Sequence, residues 1–106
     1  MYKPLPDFLT IKTSKVDGLG LFATKGIGQG TNLGMSHVLI GSGIIRTPMG
    51  GFINHSSDAN TVKVELKING TDDPLLKVAT KKWNLVTLRD IKEGEEVTVR
   101  YTFYDV

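Results

Sequence analysis

A chain of 106 residues with 40% hydrophobic and 23% charged residues has the balance of one globular domain, and a fold this size buries about 65% of its unfolded surface. Thirteen Lys and Arg against eleven Asp and Glu give a net charge of +2 with the signs interspersed, so no basic patch of nucleic-acid size stands out. The absence of cysteine rules out disulfides, thiolate nucleophiles and cysteine-ligated zinc, and with only His37 and His55 no metal site is expected.

The opening Met1-Tyr2-Lys3-Pro4-Leu5-Pro6 has no apolar run, and no later stretch nears the ~20 apolar residues of a membrane helix. The chain is therefore expected to be intracellular, neither secreted nor membrane-bound. Phe8 to Thr13 broadly alternates apolar and polar residues and predicts a strand. Val16-Asp17-Gly18-Leu19-Gly20-Leu21-Phe22-Ala23 matches the Gly-x-Gly-x-x-Ala of dinucleotide sites. That motif needs a hydrophobic strand before it and a helix after it. Here Lys12-Thr13-Ser14-Lys15 precede and glycines follow, so a hairpin turn with Leu21 and Phe22 in the core is expected instead.

Between Thr24 and Gly51 glycine recurs too often for an amphipathic helix, at ~1 kcal/mol each relative to Ala. Gly50 to Asn60 reads as a polar loop in which Asn and Asp cap their own turns. A hydrolytic triad of His55, Ser56 and Asp58 fails, because sequence neighbours rarely bring nucleophile, base and orienter within reach. Thr61 to Ile68 alternates cleanly, with Val62, Val64, Leu66 and Ile68 on one face. Asn69 to Pro74 predicts a turn and Leu75 to Ala79 the returning strand. Trp83–Arg89 and Glu96–Tyr101 are two more strands, joined by the tight polar connection Asp90–Glu95. The expected fold is all-β: short strands, tight or briefly helical turns, and a small barrel-like or folded-ribbon core.

Three segments, in this order, resemble one family. They are Gly18-Leu19-Gly20-Leu21-Phe22-Ala23, then Phe52-Ile53-Asn54-His55-Ser56 with Asn60, then Asp90-Ile91 through Gly94-Glu95-Glu96-Val97-Thr98 to Tyr101. The chain is similar to SET-domain protein lysine methyltransferases, among them small stand-alone viral and bacterial members. The resemblance covers roughly residues 8 to 104. It implies a β-clip-like fold of several small sheets with a C-terminal pseudoknot, in which the chain's end passes under the Asn-His-Ser loop. It also implies one SET domain over residues 1–106, without the flanking extension before it or the zinc-binding one after it.

The same resemblance implies S-adenosylmethionine as cofactor and a protein lysine as acceptor, in a histone tail or another basic segment. Gly18 and Gly20 would meet the cofactor's amino-acid end, Leu19 and Phe22 would shape its pocket, and Asn54, the His55 backbone and Tyr104 would contact it. Tyr101 would be catalytic, holding the amine in line with the methyl group, while Val99 and Phe103 would wall the lysine channel. No positioned Glu or free His is expected there, since a dry channel beside a sulfonium already favours the neutral amine. Arg100 stands where many members carry Asp, and Val99 where many carry Phe or Tyr, so the resemblance implies no particular degree of methylation. A small core and a channel lacking an added wall imply a homodimer. The alternative is a non-catalytic β-clip ligand-binding or interaction module.

Overall fold

In a computed structural model of the chain, the described residues are 5–16, 18–67 and 79–100. Among them are eight strands and one short helix: β1 (Leu9–Thr13), β2 (Leu19–Ala23), β3 (Asn32–Ile40), β4 (Gly43–Arg46), α1 (Pro48–Phe52), β5 (Asn54–Ser56), β6 (Thr61–Lys67), β7 (Ala79–Thr87) and β8 (Glu96–Arg100). The fold is all-β, as expected. No helix among these residues is long and apolar enough to cross a membrane.

Strands β1 and β2 form the expected hairpin, pairing Leu9 with Ala23 through to Thr13 with Leu19. A strand, not a helix, follows the glycine turn, which removes the dinucleotide geometry. Leu21 and Ala23 face the core, whereas Phe22 on the other face is half-buried. The ladder then runs β1-β2-β8-β6-β7-β3-β4, and β5 adds beside β8. Strand β8 is the hub: antiparallel to β2, parallel to β5, and parallel to β6 at Thr61↔Val99. Leu9, Leu21, Ile27, Leu85, Ile91, Val97 and Val99 meet in one apolar cluster around it. Ile91 belongs to this core despite its polar neighbours, bridging Ile27 across the sheet end. The residues past Arg100 that would complete the crossing lie outside the described set.

Four features depart from the sequence reading. The glycine-rich stretch holds β3, a nine-residue strand, paired with β4 and β7. Gly34, at φ +121, absorbs a register shift that an L side chain would resist, so one glycine permits the strand instead of breaking it. The same stretch closes with α1, whose start follows from chemistry: Thr47 Oγ1 accepts the Gly50 N–H and Pro48 occupies the first turn. Trp83 to Thr87 is not a separate strand but part of β7, which starts at Ala79 and returns along β6 from Lys81 to Thr87. Leu75 to Val78 and the turn before them lie outside the described residues. Finally, β6 is a strand as expected, but its burial does not alternate: Thr61 is fully buried, whereas Val64 and Leu66 are 38% and 39% exposed, because this part of the ribbon runs past the core.

Candidate functional site

Three chain segments end at one place: Ser14 after β1, Asn54 opening β5, and Glu96 opening β8. The turn above them is closed by the Ser14 N–H donating to Gly18 O at 2.8 Å, with Gly18 at φ +42. Asn54 Nδ2 donates to Leu19 O at 3.2 Å and to Glu96 Oε2 at 3.0 Å. Ser14 Oγ lies 2.8 Å from each Glu96 oxygen and donates to that carboxylate. A carboxylate is thus positioned at the glycine turn, where the sequence pointed to no acidic residue.

Gly20 is there because nothing larger fits. A Cβ on it would press on Glu96 Oε2, well inside 3.0 Å, and would lie 3.1 Å from Asn54 Nδ2. A Cβ on Gly18 would meet nothing within 4 Å, so only its backbone angle favours glycine. Gly20→Ala should therefore cost about 1–3 kcal/mol through overpacking, read by urea unfolding. A cost below that of Gly18→Ala would contradict this account.

The Asn-His-Ser segment is a strand rather than a loop. Asn54, His55 and Ser56 pair in parallel with Thr98, Val99 and Arg100. Beyond it, Asn60 and Thr61 clamp β8 from the same side. Asn60 Oδ1 accepts the Thr98 N–H at 2.8 Å and its Nδ2 donates to Glu96 O at 2.9 Å. Thr61 Oγ1 donates to Thr98 O at 2.7 Å. Both residues are fully buried, so side chains supply the partners that a missing strand would have offered to β8.

Asn54, His55 and Val99 also line a cavity of about 220 Å³, together with His37, Arg46 and Gly50. Its ionisable lining is basic. His37 is only 2% exposed and its pKa is pushed down to about 4, first by burial, then by Lys63, Arg46 and His55. Ser36 Oγ donates to Trp83 O, so it accepts from His37 Nδ1, which assigns the proton to that nitrogen. The unfolded imidazole titrates near 6.5. Between pH 6.5 and 4 the unfolded chain binds a proton that the fold does not, so stability is lost as the pH is lowered through that window and levels off below it. A thermal midpoint scanned over this range should drop less steeply in His37→Gln; parallel curves would refute the assignment.

The predicted site residues therefore divide. Gly20 and Asn54 meet at Glu96, Gly18 closes the turn, and Leu19 contributes its carbonyl while its side chain stays 50% exposed. His55 and Val99 sit side by side at the cavity. Phe22 lies opposite Glu96 in the ladder and does not line that cavity. Tyr101, Phe103 and Tyr104 lie outside the described residues. Ser14, Glu96, His37 and Arg46 were not anticipated. Glu96 lay within a recognised motif but read only as a strand residue, and Ser14 carried no signal beyond being polar.

Solved structures with this architecture include a protein of Plasmodium falciparum assigned as a histone methyltransferase. It aligns with TM-score 0.74 and 17% identity over 95% of this chain and 98% of that one. The methyltransferase domain of human PR domain-containing protein 2 aligns with TM-score 0.62 and 22% identity, over 96% of this chain and 82% of that one. At such identities the likeness is one of fold. No curated protein matches by sequence. The family profile of the SET domain matches residues 40–102, from the end of β3 through the Asn-His-Ser strand and β8. That span is more than half of the chain, and the chain belongs to the SET-domain family.

Proposed function

We propose that this chain is a protein lysine methyltransferase that takes its methyl group from S-adenosylmethionine. The observation that carries the reading is the convergence of the glycine turn, the Asn-His-Ser strand and β8 on one carboxylate, Glu96. The fit to the cofactor is one of charge. Among the described residues no cation pairs with Glu96, and a donor with a cationic amino-acid end suits a half-buried carboxylate flanked by a carbonyl and an amide. Gly18, Gly20 and Asn54 would hold that end; Leu19, Phe22, the His55 backbone and Tyr104 would complete the pocket. When bound, S-adenosylmethionine supplies an electrophilic methyl group on a sulfonium.

The chain's own task is to deliver a neutral amine in line. A free Lys at pH 7 is neutral about once in 2,500, a deficit of roughly 4.6 kcal/mol. Arg46, one of the positive groups that lower His37, also lines the cavity at Val99, and its charge pushes an amine entering there toward the neutral form. Tyr101, the residue after β8, would orient that amine, with Phe103 beside the channel. The naming of the structural neighbours as histone methyltransferase and methyltransferase domain supports a histone tail or similar basic segment as acceptor. The single-domain reading of residues 1–106 and a homodimer belong to the same proposal.

Calorimetry with S-adenosylmethionine and transfer of radiolabelled methyl to histone tails test it. Micromolar binding lost by about tenfold or more in Asn54→Ala, together with label on lysine, is expected. A folded chain that binds no S-adenosylmethionine would instead be a non-catalytic β-clip module.

A further inference from the structure

The Ser14–Asn54–Glu96 cluster contains more information than a tie between three chain ends. Ser14 Oγ accepts the Val16 N–H at 2.9 Å and Asn54 Nδ2 at 3.1 Å, so its one proton goes to Glu96. Among the described residues, every group donating to this carboxylate is neutral: a hydroxyl and an amide. Neither donor brings a positive charge to offset that of the carboxylate. The ion pairs among the described residues, Lys81 with Glu65 and Arg89 with Asp58 and Glu95, do not involve it. The charge is half-buried, where it is screened less than on an open surface. Beside it, the absent side chain of Gly20 lets the turn backbone approach the carboxylate, and Leu19 O adds a second acceptor on the same flank. Carboxylate and carbonyl oxygens gathered at one spot suit a group with several donors and a positive charge, which describes an ammonium.

We propose that Glu96 is the anionic anchor for the ammonium group of the methyl donor's amino-acid end, with Ser14 and Asn54 as the positioning residues that hold its carboxylate. This rests on the methyl-donor reading above and assigns a further residue to that site. A purely structural Glu96 would have a different signature. Gln keeps the length and one accepting oxygen of Glu but not its charge; Asp keeps the charge but is shorter by one methylene. Anchoring by charge thus ranks the affinities Glu, Asp, Gln, whereas a hydrogen-bonding strut ranks them Glu, Gln, Asp.

The test is calorimetric binding of S-adenosylhomocysteine, which carries the amino-acid end without a reactive methyl group, to the full chain and to Glu96→Asp and Glu96→Gln. Methylthioadenosine, which lacks that end, is the second probe, and thermal midpoints verify folding. Glu96→Gln should weaken S-adenosylhomocysteine about tenfold or more, Glu96→Asp by less, and methylthioadenosine should change by less than about twofold. Gln retaining more affinity than Asp, or equal losses for both probes, overturns the anchor and leaves the methyl-donor reading standing. Failure of the wild-type chain to bind S-adenosylhomocysteine overturns that reading, and the anchor with it.

Discussion

Tyr101→Phe is expected to lower methyl transfer by about 100-fold or more while leaving S-adenosylmethionine affinity and thermal midpoint nearly unchanged. The expectation follows from what the residue is asked to do. Removing one phenol oxygen takes away no apolar area, so packing and folding have little reason to respond. What is lost is a fixed partner for the amine, and misplacing a reacting atom by about 1 Å costs on the order of 100-fold. The measurement is single-turnover transfer with saturating cofactor, which separates chemistry from binding. Equal rates for the wild type and Tyr101→Phe would remove the phenol from the mechanism. A tenfold loss of cofactor affinity would instead move Tyr101 into the cofactor pocket.

Asn60→Ala should cost about 3 kcal/mol of stability, an effect on the fold rather than on chemistry. The side chain satisfies the Thr98 N–H and the Glu96 carbonyl within a site only 1% exposed. Truncation leaves both groups buried without a partner, at about 1–3 kcal/mol each. For a domain of this size that corresponds to a drop in thermal midpoint of roughly 10–20 °C. Asn60→Asp is the informative companion. It retains an acceptor for Thr98 but turns a lone pair toward the Glu96 carbonyl and adds a charge near Glu95, so it should be no better than Ala. Denaturant unfolding measures both, and a loss under about 1 kcal/mol for Asn60→Ala would mean that β8 finds other partners. Because β8 leads directly into Tyr101, the variant should also lose turnover beyond its loss of folded population.

Strands β1, β6 and β8 were legible from their residues because alternation is a local property, and the glycine turn because its polar approach excluded a helix. Strand β3 was hidden. Its glycines read as breaks when only neighbours along the chain are considered, and Gly34 becomes a bulge only once β7 lies beside it. Helix α1 was overlooked for a smaller reason. Thr47-Pro48 is a start signal, but it stands just before Gly50 and Gly51 in a stretch read only by its glycines. The structure shows why Gly50 must be there: a Cβ on it would run into the Ser36 backbone.

From its residues alone this chain settled its class as a strand-rich domain, the order of its three motifs, and through them its family. Each of those is written in short stretches whose periodicity and composition need no partner. Tertiary structure alone decided which groups meet. Ser14 and Glu96 are 82 positions apart and Asn54 and Glu96 are 42, yet they share one carboxylate. The exposure of Val64 and Leu66 and the lowered pKa of His37 were likewise settled by what packs against them. Burial, charge pairing and hydrogen-bond satisfaction depend on neighbours in space, and a linear pattern does not encode those until the ladder through β8 is closed.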